Sequence, residues 1–301
     1  MDGKSTAVED LDKKYALTQK DAGGLGAFGL VRTITCMLAS CTARVLLEVV
    51  PMGPKGNEVG FFKTAFSQLL QHHKSRFDLV TYDAGAYSAE NAKWVVESGK
   101  HYLFALKDSR KFLRREAERV LGHSVNVQAE TVDVLSKKDN TRMVRRLFIA
   151  EVPNGYKTLR SVRTILRVQA QKLDGGSRVL TTEDRYFISD LPHTRLTKDE
   201  WLKLVRMHWR VETFHGVIDV AFEEDDRPWI THNAQGMLVT LLLRRLAYNL
   251  LSLFRAFTQR SDEKRQTPWK TIFRWLSKAL EQATEEHLAG LRLREVQPAF
   301  S

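Results

Sequence analysis

Cysteine is scarce in this chain: Cys36 and Cys41 are the only two among its 301 residues. They lie close together in the sequence, and no second pair of Cys or His residues matches them. The four ligands of a structural zinc site therefore cannot be assembled. We interpret both as reduced, partly buried thiols of a cytosolic protein.

Long uninterrupted apolar runs are also missing. Residues 1–15 are polar and charged, so they do not read as a signal peptide. The most apolar stretch, residues 236–254, is interrupted by Arg244 and Arg245. A membrane span needs about 20 predominantly apolar residues. We therefore predict a buried helix here, no membrane partner and a cytoplasmic location.

Acidic residues are outnumbered by basic ones. The chain has 47 Lys and Arg against 36 Asp and Glu, which gives a formal net charge of +11. Its hydrophobic fraction of 43% is enough to bury a core, so a disordered tail is excluded. The positive charge favours a polyanion, most simply nucleic acid, as partner. The alternative is a basic enzyme that binds no nucleic acid.

The hydrophobic pattern of the first third predicts an α/β fold with a mixed sheet flanked by helices. Two β-branched runs predict a hairpin, and a helix with apolar spacing follows. Two short apolar strands then enclose a helix that is capped by Ser88 and stopped at Gly99. In chain order these segments are 30–39, 43–50, 59–73, 77–83, 88–99 and 101–107.

The middle of the chain has a different pattern. Residues 108–122 predict a basic amphipathic helix, and residues 124–190 alternate apolar with Arg or Lys positions. We interpret this block as a β-rich insertion with one basic face. A capping box from Thr197 to Glu200 then opens a helix that continues to Asp219. The long buried helix and a basic helical tail follow.

Asp83 stands where a buried strand ends and a glycine-containing loop begins. In open α/β sheets, ligands bind at the carboxyl ends of strands. An acid at this position is therefore a candidate ligand or catalytic residue. The alternative is an aspartate that only caps a helix or forms a turn.

Glu212 has His208 four residues before it and His215 three residues after it, which places all three on one face of the predicted helix. One hypothesis is a local metal site of the Glu-x-x-His type, which in di-iron bundles needs a second such motif. The other is that Glu212 joins a distant carboxylate such as Asp83 on Mg²⁺ or Mn²⁺. A solvated helical glutamate is the plain alternative.

Short motifs along residues 1–257 together resemble a bacterial insertion-sequence transposase of the DDE class with an RNase H-like core. None decides the matter alone, but their order is specific. They are "DGK" at 2–4, "YDAGAYS" at 82–88, "YLFALK" at 102–107, "YFISDL" at 186–191, "HWRVE" at 208–212, "IDVAFEED" at 218–225 and "RRLAYNLL" at 244–251.

The resemblance implies a catalytic triad of Asp2, Asp83 and Glu212, which would hold two Mg²⁺ or Mn²⁺ ions and catalyse DNA cleavage and strand transfer. It also implies that basic side chains near the triad hold DNA phosphates, and the candidates are Lys4, Lys107, His208, Arg210 and His215. A weaker set of DNA contacts comes from clustering alone, with a solvated basic face as its alternative: Arg110, Arg114, Arg115, Arg145 and Arg146.

The same resemblance implies an RNase H-like catalytic core at 1–108 and 186–257, split by the β-rich insertion at 109–185 before the helix that carries the last catalytic acid. Residues 258–301 form the basic C-terminal helical tail. The implied partners are double-stranded DNA, both transposon ends and target, and a second copy in a DNA-bound homodimer. The implied location is the nucleoid of a bacterial cytoplasm.

Some features depart from the family pattern. The family usually carries a further N-terminal domain and a first strand that leads into its first acid; we expect this chain to lack both, and Asp2 therefore to lack a rigid mount. Our hypothesis is a truncated and inactive form; the alternatives are a non-catalytic DNA-binding remnant and an RNase H-like nuclease outside transposition. Asp219 stands where related transposases often carry lysine, and we interpret Glu224 and Asp225 as structural.

Overall fold

A computed structural model of the chain describes most of its residues. The described ranges are 1–20, 26–53, 58–82, 88–106, 111–122, 126–136, 138–152, 154–156 and 159–289. The chain divides into two compact units, Met1–Leu253 and Phe254–Ser301. The candidate residues all fall in the first unit.

Strands and helices alternate in the first part of the chain and helices dominate its end. The strands are β1 (Asp2–Val8), β2 (Leu17–Lys20), β3 (Ala27–Met37), β4 (Leu46–Met52), β5 (Leu79–Tyr82), β6 (His101–Ala105), β7 (Ala129–Ser136), β8 (Thr141–Glu151), β9 (Thr164–Leu173) and β10 (Val179–Ser189). The helices are α1 (Glu58–His73), α2 (Ala89–Glu97), α3 (Lys111–Val120), α4 (Lys198–His208), α5 (Arg210–Val220), α6 (Ala234–Thr258), α7 (Asp262–Arg265), α8 (Trp269–Glu281) and α9 (Glu285–Ala289).

A first, antiparallel sheet is built on β3. Strand β1 pairs with β3 from Asp2 opposite Thr35 to Val8 opposite Gly29, and β2 and β4 also pair with β3. The predicted hairpin is therefore confirmed as β3 and β4. Strands β1 and β2 were not predicted from the sequence, because their polar residues give no apolar alternation.

A second sheet has the order β5-β6-β10-β9-β8-β7. Strands β5 and β6 are parallel and the remaining pairs are antiparallel, so the predicted mixed sheet with flanking helices is confirmed. The β-rich block before the helix with Glu212 is confirmed as well. Strand β10 runs through the predicted boundary at 185, so the insertion strands and the core strands belong to one sheet, and the boundaries themselves stay a prediction.

Aromatic packing fixes the carboxyl end of β5. Phe62 of α1 is fully buried, and its ring lies 5.4 Å from that of Tyr82 and 5.8 Å from that of Phe104. Edge-to-face contacts at these distances add to the gain from burial. Tyr82 immediately precedes Asp83, which lies outside the described residues. Helix α1 thus anchors the strand that leads into the candidate acid.

The prediction of one continuous helix from the capping box to Asp219 is wrong. The box itself is confirmed, with Thr197 and Glu200 bonding each other's backbone N–H groups. The helix, however, is interrupted at Trp209 between α4 and α5. His208 therefore ends α4 and does not share a continuous helix face with Glu212.

Helix α6 is buried on one side only, which corrects the prediction of a buried helix. Its buried side includes Arg244, Arg245 and Tyr248, whereas leucines such as Leu243 and Leu250 are exposed. By length and composition the helix could cross a membrane, and 39% of its most apolar window is buried. The buried side thus combines apolar residues with two arginines, and several leucines lie on the exposed side.

Phe62→Ala should destabilise the chain by about 3–5 kcal/mol, because it removes a fully buried ring and leaves a cavity. The matched control is Phe112→Ala, whose ring is 59% exposed and should cost less than about 1 kcal/mol. Urea unfolding followed by circular dichroism measures both. Equal costs for the two variants would contradict this account of the core.

Candidate active site

Asp2 is held firmly at the start of β1. Its carboxylate accepts a hydrogen bond from the backbone N–H of Gly3 at 2.9 Å. The other oxygen lies 3.2 Å from Nδ1 of His215 on α5. The backbone is paired opposite Thr35 of β3. The expectation that Asp2 lacks a rigid mount is therefore wrong.

The surroundings of Asp2 favour its charged form. Burial raises the pKa of this carboxyl, but the hydrogen bond and positive charge of His215 lower it. The N-terminal ammonium and the Gly3 N–H act in the same direction, and the net result is a pKa below the usual aspartate value. Asp2 is thus ionised at neutral pH, and its carboxylate oxygens can act as metal ligands.

Strand β1 and helix α5 contact each other side by side. Asp2 contacts His215. Lys4, two residues later in the strand, contacts Asp219, four residues later in the helix, so both elements run in the same direction. Glu212 lies one helical turn before His215 and is exposed. Glu212 is thus one helical turn away from the residue of α5 that contacts Asp2.

The beginning of β1 also contacts β5. The buried amino group of Met1 donates to the carbonyl oxygen of Thr81 at 2.8 Å, and Asp83 follows two residues after Thr81 in the sequence. A cavity of about 290 Å³ beside this contact is lined by residues of β3, β5 and α4 as well as Met1. Elements that carry or lead into all three predicted acids thus meet around the start of β1.

A second group of carboxylates surrounds Lys4. Asp219, Glu224 and Asp225 each place an oxygen within 4.8 Å of the others. The Lys4 ammonium contacts Asp219 and lies 3.4 Å from Asp225 and 3.9 Å from Glu224. The ammonium of this lysine, whose side chain is only 9% exposed, therefore balances part of the negative charge of this group.

Glu224 is the most deeply buried member of the group, with no exposed side-chain surface. Both of its oxygens accept hydrogen bonds from Arg245 of α6, one of them at 3.1 Å. Asp225 is more exposed, and its pKa is raised by burial and by the nearby Asp219 and Glu224 against the opposing effect of Lys4. The geometry of Glu224 agrees with the structural role that we predicted for it.

Comparison with known proteins identifies the family. The model of the transposase DDE domain matches residues 2–250. The chain belongs to the transposase DDE domain family. The predicted resemblance to insertion-sequence transposases of the DDE class is thereby confirmed.

The relatives of this DDE-domain chain in Escherichia coli K12 include the "H repeat-associated putative transposase YhhI" and the protein YbfL. Each is 26% identical over 229 residues, which cover 70% of this chain. The chain spans 56% of the length of either relative. Among solved structures, it aligns with a piggyBac transposase synaptic complex with hairpin DNA at a TM-score of 0.48 and 11% identity, covering all of this chain and 58% of that one.

The predicted DNA-contacting residues of this DDE domain lie in varied surroundings. His208 is buried with its ring 6.4 Å from that of Phe187, and Arg210 donates to the carbonyl of Ala39. Lys4 and His215 face carboxylates, as described above. Lys107 lies outside the described residues. Contacts of these side chains with DNA stay predictions.

The weaker set of arginines is engaged within the DDE domain itself. Arg114 pairs with Glu118, Arg145 with Asp133 and Arg146 with Glu130. Arg110 lies outside the described residues, and Arg115 is part of α3. Contacts of this set with DNA also stay predictions.

The chemistry of the donor set fits a hard divalent cation. Asp2 is ionised and fixed in place, and Glu212 is an exposed carboxylate one helical turn before His215, the residue that contacts Asp2. Oxygen donors of this kind suit Mg²⁺ or Mn²⁺. Sequence reasoning did not find the partners of Asp2, because the His215 contact joins residues that are 213 positions apart.

Glu224→Gln should cost about 3–5 kcal/mol, because it leaves the buried guanidinium of Arg245 without a counter-charge. The control is Glu223→Gln, whose ion pair with Arg227 is exposed and should cost less than about 1 kcal/mol. Chemical denaturation of both variants gives the comparison. A Glu224→Gln variant as stable as the wild type would show that the buried pair contributes nothing.

Proposed function

We propose that this chain is a DNA transposase that cuts and joins insertion-sequence ends by two-metal phosphoryl transfer on an RNase H-like core. Asp2, Asp83 and Glu212 are its carboxylate ligands. The contact between Asp2 and His215 carries the proposal, because it brings the start of β1 to within one helical turn of Glu212. Membership of the transposase DDE domain family supports it.

Bound Mg²⁺ or Mn²⁺ would activate water or a DNA 3′-hydroxyl and stabilise the leaving oxygen. The residues of this chain prepare that site. His215 and the Gly3 N–H keep Asp2 ionised and oriented. Glu212 is exposed, so this ligand lies on the solvent side, from which DNA would approach. The rigid placement of Asp2 matters because a misplacement of about 1 Å costs about 100-fold in rate.

The proposed partners follow from charge and family. A net charge of +11 suits transposon ends and target DNA. Because two ends must be joined, we propose a homodimer on DNA and a location in the bacterial nucleoid. These proposals concern the whole protein, and the chain spans only 56% of the length of its curated relatives.

Asp2→Asn, Asp83→Asn and Glu212→Gln should each abolish metal-dependent cleavage of DNA that carries the ends of the encoding element. The loss should exceed the roughly 10–100-fold expected for removing an outer-sphere partner of a metal ligand. Asp226→Asn, a change at an exposed acid of the same region, is the control and should retain activity. Cleavage of labelled DNA in Mn²⁺, with and without EDTA, measures this.

A variant of the three that cleaves at the wild-type rate would remove that residue from the site. If the wild-type chain binds DNA but never nicks it, the alternative of a non-catalytic DNA-binding remnant is correct. Nicking of arbitrary DNA without strand transfer would instead support an RNase H-like nuclease outside transposition.

Binding to duplex DNA should weaken steeply with salt. If six to ten phosphates are contacted, affinity should fall by about 10³–10⁵ between 50 and 200 mM salt, because released counterions drive the association. Fluorescence anisotropy of a labelled duplex in EDTA measures this without cleavage. An affinity that does not change with salt would rule out the proposed phosphate contacts.

A further inference from the structure

The pairs between β1 and α5 follow a matched spacing. Residues two apart in a strand are separated by about 6.7 Å, and residues four apart in a helix by about 6 Å. Asp2 and Lys4 therefore stand opposite His215 and Asp219 as two successive rungs. The second rung joins an ammonium group and a carboxylate.

The second rung is the better protected one. The side chain of Lys4 is 9% exposed, and besides Asp219 it has Asp225 at 3.4 Å and Glu224 at 3.9 Å. Glu224 is fixed in turn by Arg245 of α6. The ammonium of Lys4 thus ties β1 to the end of α5 and, through Glu224, to α6.

A displaced helix would be penalised by like charges. If α5 slipped by one turn along β1 towards its own N-terminus, Asp219 would stand opposite Asp2, and two carboxylates would meet. Carboxylates that share a site repel each other, and one of them must take up a proton. The charges on β1 and α5 therefore favour the observed alignment over its nearest competitor.

We propose that Lys4 is a positioning residue whose rung with Asp219 sets the register of α5 on β1. The register holds Glu212 one turn before His215, the residue that contacts Asp2. This role differs from the DNA contact expected for Lys4 from the family resemblance. The consequence for catalysis rests on the proposed function, whereas the register itself does not.

The register is measured directly by the distance between spin labels at Ser5→Cys and Val220→Cys, both on exposed positions. Cys41→Ser removes the more accessible native thiol. Cys36 is buried, which raises the pKa of its thiol to about 12, so it takes up no label. Pulsed electron resonance then gives the distance distribution in the full chain without metal or DNA.

The informative variant is Lys4→Met combined with Asp219→Asn, because it removes both charges of the rung and leaves the net charge unchanged. The distance distribution of this double variant should shift or broaden relative to the parent. The single variant Lys4→Arg keeps a positive charge beside Asp219, so its distribution should match that of the parent. Lys13→Met, the same change at an exposed lysine, should leave it unchanged. An unaltered distribution in the double variant overturns the proposal, whatever its thermal stability.

A second measurement, Mn²⁺ affinity by calorimetry, tests the link to the candidate site. The double variant should bind Mn²⁺ about 10–100-fold more weakly than the wild type, as when a partner that orients a ligand is lost. Wild-type affinity in a double variant with a shifted register would overturn the role of Lys4 in positioning Glu212. If wild type and Glu212→Gln bind Mn²⁺ equally, the proposed function fails, and the distance measurement still decides the register.

Discussion

The rest of the structure depends on the pairing of the buried carboxylate of Glu224 with its positive partners. A charge without access to water is tolerated only when partners replace its hydration. Arg245 supplies two hydrogen bonds and Lys4 supplies a second positive charge nearby. Because these partners come from α6 and β1, pairing one charge draws three distant parts of the chain together.

The candidate site lies next to that arrangement and contains two acids in different surroundings. Asp2 is half-buried, fixed by its own strand and held ionised by His215. Glu212 is exposed on the first turn of α5. A fixed ligand defines the position of a cation, while an exposed one leaves a side of it open to a large substrate. The fixed Asp2 and the exposed Glu212 therefore have complementary roles in the candidate site.

Local patterns were sufficient to predict much of the fold. The β3–β4 hairpin, α1, the strand before Asp83 and the capping box at Thr197 all have strong periodicity or turn chemistry. Strand β1 has neither, since its residues are mostly polar and its pairing with β3 is a long-range contact. The expectation that Asp2 lacks a rigid mount followed from the absence of any such local pattern, because chain termini are ordered only when other parts of the fold hold them.

The helix break at Trp209 had no signal of glycine or proline, so apolar spacing continued through it and misplaced His208 on the face of Glu212. The partners of Lys4 and Asp2 could not be predicted either, because each of the two contacts joins residues over two hundred positions apart. Electrostatic pairing at such separation follows from the tertiary structure and not from any local pattern. Family resemblance could name Asp2, but only the structure shows what holds it.

Helix α6 presents leucines to water and keeps Arg244 and Arg245 inside. The exposed leucines affect the tendency of the protein to self-associate. At low ionic strength the net charge of +11 keeps copies apart. Salt shortens the range of that repulsion to about 10 Å at 0.1 M, while the attraction between apolar stripes is not weakened. Solubility of this basic protein is consequently set by a balance in which added salt favours self-association.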